Sequence, residues 1–335
     1  MSRIAVMGSG AWGTAIAISL ARRGGHRIAL WSFEKDVAAT MRERRENTAF
    51  LPGFLLPEAI SIFEDPAGAL EKAEIVVSVT PSQFVRSTYK GFAPHLQAGQ
   101  LLVSATKGIE DETCLRMTQV IEEVLRKQGL ELPCGVLSGP SFAQEVAAGA
   151  PTAITIASAD GELAARVQRE FSSGTLRLYT NDDVVGVELG GSIKNVIAIA
   201  AGIVAGLGLG FNSNAALITR GIAEMTRLAV ACGGRRETLA GLSGVGDLVL
   251  TCTGSLSRNR TVGMGLGQGK KIEEILAGLG GHVAEGIRTT SAALGLAERH
   301  GVEMPIAEQM KAILMGGKSP QRAIEELMLR PGRDE

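Results

Sequence analysis

Short runs of β-branched and aliphatic residues open the chain and recur through its first 180 or so residues. Between them lie stretches whose apolar residues return every three or four positions. Arg3–Met7, Arg27–Trp31, Ile60–Phe63, Ile75–Val79, Leu101–Ser104, Gly135–Ser138, Ala153–Ala157 and Thr175–Tyr179 read as strands. Their near-continuous apolar character suits strands covered on both faces. Thr14–Arg23, Glu34–Arg45, Ser82–Gly91, Cys114–Lys127, Phe142–Gly149 and Gly161–Phe171 read as helices, and Asp65-Pro66 offers a cap followed by a first-turn proline. Asn47–Pro57, interrupted by Pro and Gly, reads as an apolar loop. This alternation predicts an α/β architecture with a doubly wound parallel sheet. From about Asn181 the strand pattern stops. Val184–Gly208, Ala215–Ala231, Ile272–Gly278, Gly286–His300 and Glu303–Met315 all carry helical spacing, and Pro331–Glu335 reads as a frayed end. The expected division is therefore an α/β domain over 1–185 followed by an all-helical domain over 186–335.

Composition narrows the classes of partner. The 335 residues are 45% hydrophobic and 21% charged with a net charge of −1, which gives no electrostatic reason to expect nucleic acid or an anionic membrane. Aromatic residues make up 4%, too few for base-stacking platforms. The four cysteines, Cys114, Cys134, Cys232 and Cys252, lack metal or CxxC spacing and read as reduced thiols of a cytoplasmic protein. A first strand at Arg3 leaves no room for a targeting peptide before it. Val196–Phe211 is uncharged but shorter than the ~20 residues of a membrane span, and its Gly and Ala content suits a tightly packed core helix.

The stretch Arg3–Thr14 carries the first chemistry. A buried strand runs into Gly8-Ser9-Gly10-Ala11-Trp12-Gly13 and then into a helix, the order in which a GxGxxG becomes informative. Gly8 permits the tight turn, Gly10 lets the backbone approach a pyrophosphate, and Gly13 lets helix and strand pack closely. Amides at the helix start would receive the phosphates, so 1–185 is expected to be a Rossmann-type dinucleotide-binding domain. An NAD-selective enzyme usually closes its second strand with a carboxylate that holds the ribose. Here the strand runs out into Ser32 and Phe33, with no carboxylate clearly in place. NADPH is therefore expected to bind at least as well as NADH, with Arg27 or Lys35 as candidates to reach a 2′-phosphate.

Four polar clusters interrupt the apolar pattern. Lys107 follows a strand in Ser104-Ala-Thr-Lys-Gly, where its ammonium would face the cofactor, although a snorkelling surface lysine is the plain alternative. Ser138-Gly139-Pro-Ser141-Phe-Ala-Gln144 opens a helix. Ser141 and Gln144 have capping-box spacing, and the same helix start could offer amides to a substrate oxygen. Lys194, in Glu188-Leu-Gly-Gly-Ser-Ile-Lys-Asn, sits among Gly, Ala, Val and Ile. A buried lysine must be paired or neutralised, and burial is how a lysine comes to exchange protons near neutral pH. A lysine at an exposed helix end is the alternative. Gly244-Val-Gly-Asp247 offers a carboxylate to hold that ammonium, and Ser257-Arg258-Asn259 offers a planar fork and amide donors for a phosphate, unless these are ordinary surface loops. Such groups suit hydride transfer between a nicotinamide and a ketone, with Lys194, Lys107 and Asp247 as the catalytic candidates.

GSGAWGT, SATKGI, LSGPSFAQE, GGSIKNVIAIAAG, GLSGVGDLVLT, SLSRNRTVG and VAEGIRT, in this order from residue 3 to about 320, closely resemble the bacterial NAD(P)-dependent glycerol-3-phosphate dehydrogenase family. The resemblance implies reversible reduction of dihydroxyacetone phosphate to sn-glycerol 3-phosphate, the precursor of glycerophospholipids. It further implies Lys194 as proton donor and acceptor. Lys107, Gly139, Ser141, Lys194, Asp247, Ser257, Arg258 and Asn259 would contact substrate. Besides the glycine turn, Ala11, Trp12, Phe33, Lys107, Ala143, Arg258, Val283 and Glu285 would contact NADPH or NADH. Phe33 stands where relatives often carry a polar or basic residue, and Ser192 where alanine is commoner. Other readings are a two-domain 3-hydroxyacid-type dehydrogenase and an NADPH sensor without turnover. The apolar surface of the helical domain suggests a homodimer.

Overall fold

The computed structural model describes residues 1–279 and 283–332; of the expected frayed end, 333–335 lie outside the described residues. The chain separates into two compact units, 1–107 with 115–188, and 108–114 with 189–335.

The first unit holds ten strands: β1 (Ser2–Met7), β2 (His26–Trp31), β3 (Glu46–Asn47), β4 (Leu51–Leu55), β5 (Ile60–Phe63), β6 (Ile75–Ser78), β7 (Leu101–Ser104), β8 (Cys134–Ser138), β9 (Thr152–Ala157) and β10 (Leu176–Asn181). Eight of them form one sheet in the order β10-β9-β8-β7-β6-β1-β2-β5, with the order reversing beside β1 as in a doubly wound fold. Strand periodicity explains why both faces are buried. Ile4 and Val6 pack with the helices Ala11–Arg23, Lys35–Arg44 and Gly161–Phe171, whereas Ala5 and Met7 pack with Val85–Phe92 and Met117–Arg126.

Two expectations for this unit are corrected. The sheet is not wholly parallel, because β9 runs antiparallel to β8 and β10 then follows β9 in parallel. The only helix between β8 and β9 is Ala143–Ala148. Six residues of helix rise about 9 Å, too little to carry the chain back along a five-residue strand of roughly 17 Å. The chain turns round instead. The expected loop over 47–57 contains a hairpin: β3 and β4 pair antiparallel with a bulge at Glu46/Asn47, and Gly53 N–H donates to Glu46 Oε1 at 2.7 Å.

Apart from the excursion 108–114, the elements of the second unit are all helices among its described residues. Its axis is the helix Val184–Gly206, which carries the chain out of the first unit and is buried on all sides from Val187 to Val204. It is long and apolar enough to cross a membrane, but 89% of its most apolar window is buried within the protein. Two helices absent from the sequence expectation, Asp247–Thr253 and Arg258–Gly267, pack around it. A Cβ on Gly202 would stand 2.1 Å from Arg260 O, and one on Gly263 would stand 1.9 Å from Ile199 O, so these helices cross backbone against backbone. That close approach explains a Gly-rich helix whose propensity alone argues against one. The excursion 108–114 joins this unit through Ser192 Oγ donating to Gly108 O (3.1 Å) and Arg299 Nη1 donating to Thr113 O (2.6 Å).

Candidate functional site

In the first unit, β1 ends at Met7 and the chain turns into the helix Ala11–Arg23, with Gly10 as its N-cap in extended geometry. A side chain at Gly13 would place Cβ 1.9 Å from Gly8 O, so the helix can lie this close to the turn only with glycine there. At Gly10 nothing lies within 4 Å of where a Cβ would stand. The turn thus has the open backbone concavity that a pyrophosphate requires, and the residues present fit a dinucleotide. Ser9 Oγ donates to Ser32 Oγ (2.7 Å), which donates to Glu34 O (3.1 Å), joining the turn to the end of β2. Ala11 and Trp12 form the first helical turn, and Trp12 is partly exposed with its indole Nε1 buried and unbonded. Phe33 is 78% exposed and meets Trp31 edge-on, its ring centroid 6.2 Å away.

Arg27 does not serve this site. It is the second residue of β2, whereas Gly8 N–H bonds to Trp31 O at the opposite end of that strand. Four residues of strand put it roughly 13 Å from that end. Lys35, at the first turn after Glu34, remains on the correct side.

Lys107, Gly139 and Ser141 come together. Lys107 Nζ donates to Gly139 O at 3.1 Å, and Ser141 Oγ donates to the same oxygen at 2.9 Å. The capping box expected of Ser141 and Gln144 does not form. The helix begins two residues after Ser141, at Ala143 with Phe142 as N-cap, so the serine hydroxyl turns back to the strand end. Ala143 lies half-buried at the start of that helix.

In the second unit Lys194 lies mid-helix with only 5% of its surface exposed, so the exposed-end alternative is excluded. Its ammonium pairs with Asp247 Oδ1 and donates to Thr251 Oγ1 at 2.8 Å. Asp247, fully buried, opens the helix Asp247–Thr253 directly after a wide π-type turn over Leu242–Gly246. Thr251 Oγ1 donates in turn to Asp247 O at 2.6 Å. Sequence reasoning missed Thr251; its signal was the i,i+4 spacing from Asp247 on one helix face. Cys252 beside the pair is not a rival acid or nucleophile, because burial pushes its thiol up to about 12.

The Ser257-Arg258-Asn259 cluster is the start of the helix Arg258–Gly267, not a loop. Ser257 Oγ caps it by accepting from Arg260 N–H at 3.2 Å. Asn259 is buried, and its side chain joins three segments: Nδ2 donates to Asn195 Oδ1 (3.0 Å) and Oδ1 accepts from Gly286 N–H (3.0 Å). Arg258 stays exposed along much of its side chain. Crowding by surrounding protein pulls its guanidinium down from the ordinary value, and the Glu285 carboxylate opposes this. That pairing gives Glu285 a place the residue pattern alone did not. Val283 lies half-buried just before the helix Glu285–Arg299, next to 280–282, which are outside the described residues. Among the described residues no His, Cys, Asp or Glu cluster could hold a metal ion.

A dinucleotide cradle on a doubly wound sheet, followed by a helical unit with a buried lysine held by a carboxylate, defines a two-unit nicotinamide-dependent dehydrogenase. Comparison with known proteins narrows the class. Residues 3–164 match the model of the NAD-dependent glycerol-3-phosphate dehydrogenase N-terminus, and residues 183–325 match that of its C-terminus. The glycerol-3-phosphate dehydrogenase [NAD(P)+] of Acidobacterium capsulatum is 64% identical over the whole of both chains. That of Koribacter versatilis is 60% identical over all of this chain and 99% of its own. The crystal structure of the Coxiella burnetii glycerol-3-phosphate dehydrogenase superposes with a TM-score of 0.94 at 40% identity, covering 98% of this chain and 99% of that one. This chain belongs to the NAD-dependent glycerol-3-phosphate dehydrogenase family.

Proposed function

We propose that the chain catalyses the reversible reduction of dihydroxyacetone phosphate to sn-glycerol 3-phosphate with NADPH or NADH, and that Lys194 handles the proton. The observation that carries the residue assignment is the buried Lys194–Asp247–Thr251 group in a chain matched along its length by this family. The bound nicotinamide supplies the hydride. Lys194 donates a proton to the ketone oxygen as the carbon is reduced, and in the reverse direction accepts the hydroxyl proton. Asp247 and Thr251 hold the ammonium in place, which is orientation installed before the substrate arrives. Desolvation around the pair strengthens its effect on charge developing at the ketone oxygen.

The substrate phosphate is assigned to the start of the helix Arg258–Gly267. Arg258 supplies a planar fork, and the first backbone amides supply further donors. Asn259 contributes through its backbone, because its side chain is committed to Asn195 and Gly286. The family's motifs assign Lys107 and Ser141 to substrate or cofactor, and Ala11, Trp12, Phe33, Ala143, Val283 and Glu285 to the dinucleotide. With no carboxylate closing β2, NADPH binds at least as well as NADH. The product supplies glycerophospholipid synthesis. Exposed Leu209, Phe211, Val230 and Val249 on the helical unit support a homodimer, and four unbridged cysteines support a cytoplasmic setting.

The test is Lys194→Ala. Turnover with dihydroxyacetone phosphate should fall about a thousandfold or more, with the NADPH dissociation constant changed less than about threefold. Unchanged turnover would remove Lys194 from the mechanism. NADPH oxidation by the wild-type protein with 3-oxoacids but not with dihydroxyacetone phosphate would overturn the substrate.

A further inference from the structure

Asn47 is fully buried although it belongs to a hairpin that otherwise lies partly exposed. Its side chain makes three hydrogen bonds, using both amide protons and the carbonyl oxygen. Nδ2 donates to Ser9 O at 2.6 Å and to Thr14 Oγ1 at 2.8 Å, and Oδ1 accepts from Phe50 N–H at 3.0 Å. Thr14 Oγ1 donates to the same Ser9 oxygen at 3.0 Å, so both lone pairs of that carbonyl are engaged. The hairpin is itself anchored: Arg45, in left-handed backbone geometry, donates to Ile60 O (3.1 Å) and Leu56 O (3.2 Å). Leu56 N–H bonds back to Arg45 O at 2.7 Å.

The consequence follows from peptide planarity. The Ser9 carbonyl and the Gly10 N–H belong to one trans peptide and point in opposite directions. Holding the carbonyl against Asn47 and Thr14 turns the Gly10 N–H away from the protein interior at the glycine whose surroundings are open. We propose that Asn47 is a positioning residue for dinucleotide binding, fixing through the Ser9–Gly10 peptide the backbone donor that the glycine turn offers to a pyrophosphate. This rests on the assignment of that turn to the cofactor. Without Asn47 the peptide keeps one hydrogen bond, from Thr14, and can rotate, so donor direction is lost while the turn stays folded.

The experiment titrates NADPH into the wild type, Asn47→Ala, Thr14→Val and Thr14→Ser, without ketone, by quenching of protein fluorescence. Melting temperatures and steady-state constants are measured in parallel. Asn47→Ala should raise the NADPH dissociation constant about tenfold or more, with kcat at saturating cofactor and KM for dihydroxyacetone phosphate within a factor of about two. Thr14→Val should weaken cofactor binding in the same way, and Thr14→Ser, which keeps the hydroxyl, should restore it. A dissociation constant within twofold of wild type in Asn47→Ala overturns the proposal, as does a melting-temperature loss without any change in affinity. If Asn47→Ala does not fold, the Thr14 pair decides: equal affinities for Thr14→Val and Thr14→Ser overturn it. Failure of the wild type to bind NADPH would instead overturn the cofactor assignment beneath it.

Discussion

Lys107 and Lys194 occupy opposite kinds of surroundings. Lys107 stands half-buried past the end of β7 and donates to a neutral backbone oxygen, Gly139 O. Lys194 lies in the middle of a 23-residue helix and meets a fully buried carboxylate and a threonine hydroxyl. A partly solvated ammonium can exchange partners at little cost, since water makes up for a lost contact. A buried one cannot: separated from its carboxylate it costs several kcal/mol. The first lysine is suited to meeting a ligand that comes and goes, the second to staying in place while a proton moves.

Removing the carboxylate is the strongest way to break this contrast. Asp247→Asn leaves a buried ammonium facing a neutral amide. Turnover should fall about a hundredfold or more, and stability by roughly 3 kcal/mol. Urea denaturation and kcat measured together check it. A variant of wild-type stability and turnover would mean that the pair acts as an ordinary surface bridge. Lys107→Met should behave differently, changing stability by less than about 1 kcal/mol while raising KM for ketone or cofactor about tenfold to a hundredfold. A large stability loss with unaltered KM would reverse the roles given to the two lysines.

The smallest effect sharpens the comparison from a third buried charge. Glu224 has no exposed surface and accepts from Ile306 and Ala307 N–H, both at 3.0 Å, capping the helix Pro305–Gly316. Burial raises its carboxyl to about 7, against those two amides and Arg227, which lower it, with Glu308 adding to the rise. Because the folded value lies above the unfolded one, the folded state holds the extra proton between about 4.5 and 7. Its contribution is complete below that window and is lost as pH rises through about 7. Glu224→Gln should therefore gain about 1–2 kcal/mol over wild type at pH 8 relative to the difference at pH 5. Melting curves at the two pH values give the answer, and a pH-independent difference would show that the carboxyl is not raised.

Much of the sheet was legible, because buried parallel strands are written as short aliphatic runs. Ile60–Phe63 and Leu101–Ser104 match to the residue. The glycine turn could be read for the same reason: few arrangements other than close backbone approach require Gly at those spacings. The reversal of β9 was hidden, since an apolar strand carries no mark of its direction. The helix Arg258–Gly267 was missed because its glycines serve contact with Ile199 and Ile203 of a distant segment, which overrides local propensity. Lys194, Asp247 and Arg258 stood out as charges in apolar or Gly-rich surroundings. Thr251 and Asn47 did not, because a small neutral side chain becomes conspicuous only when its partners are known.

The crossing of Val184–Gly206 over Arg258–Gly267 also bears on substrate size. Side chains in an ordinary helix interface can repack and let the axes drift, but main chain against main chain has nothing to give. The crossing holds the main chain of the helix that carries Lys194 at a set interval from the main chain of the helix that Arg258 opens. In the proposed reaction those two segments carry the groups assigned to the carbonyl oxygen and the phosphate, so a longer ketone would have to be met by side-chain movement alone, with none from the helices.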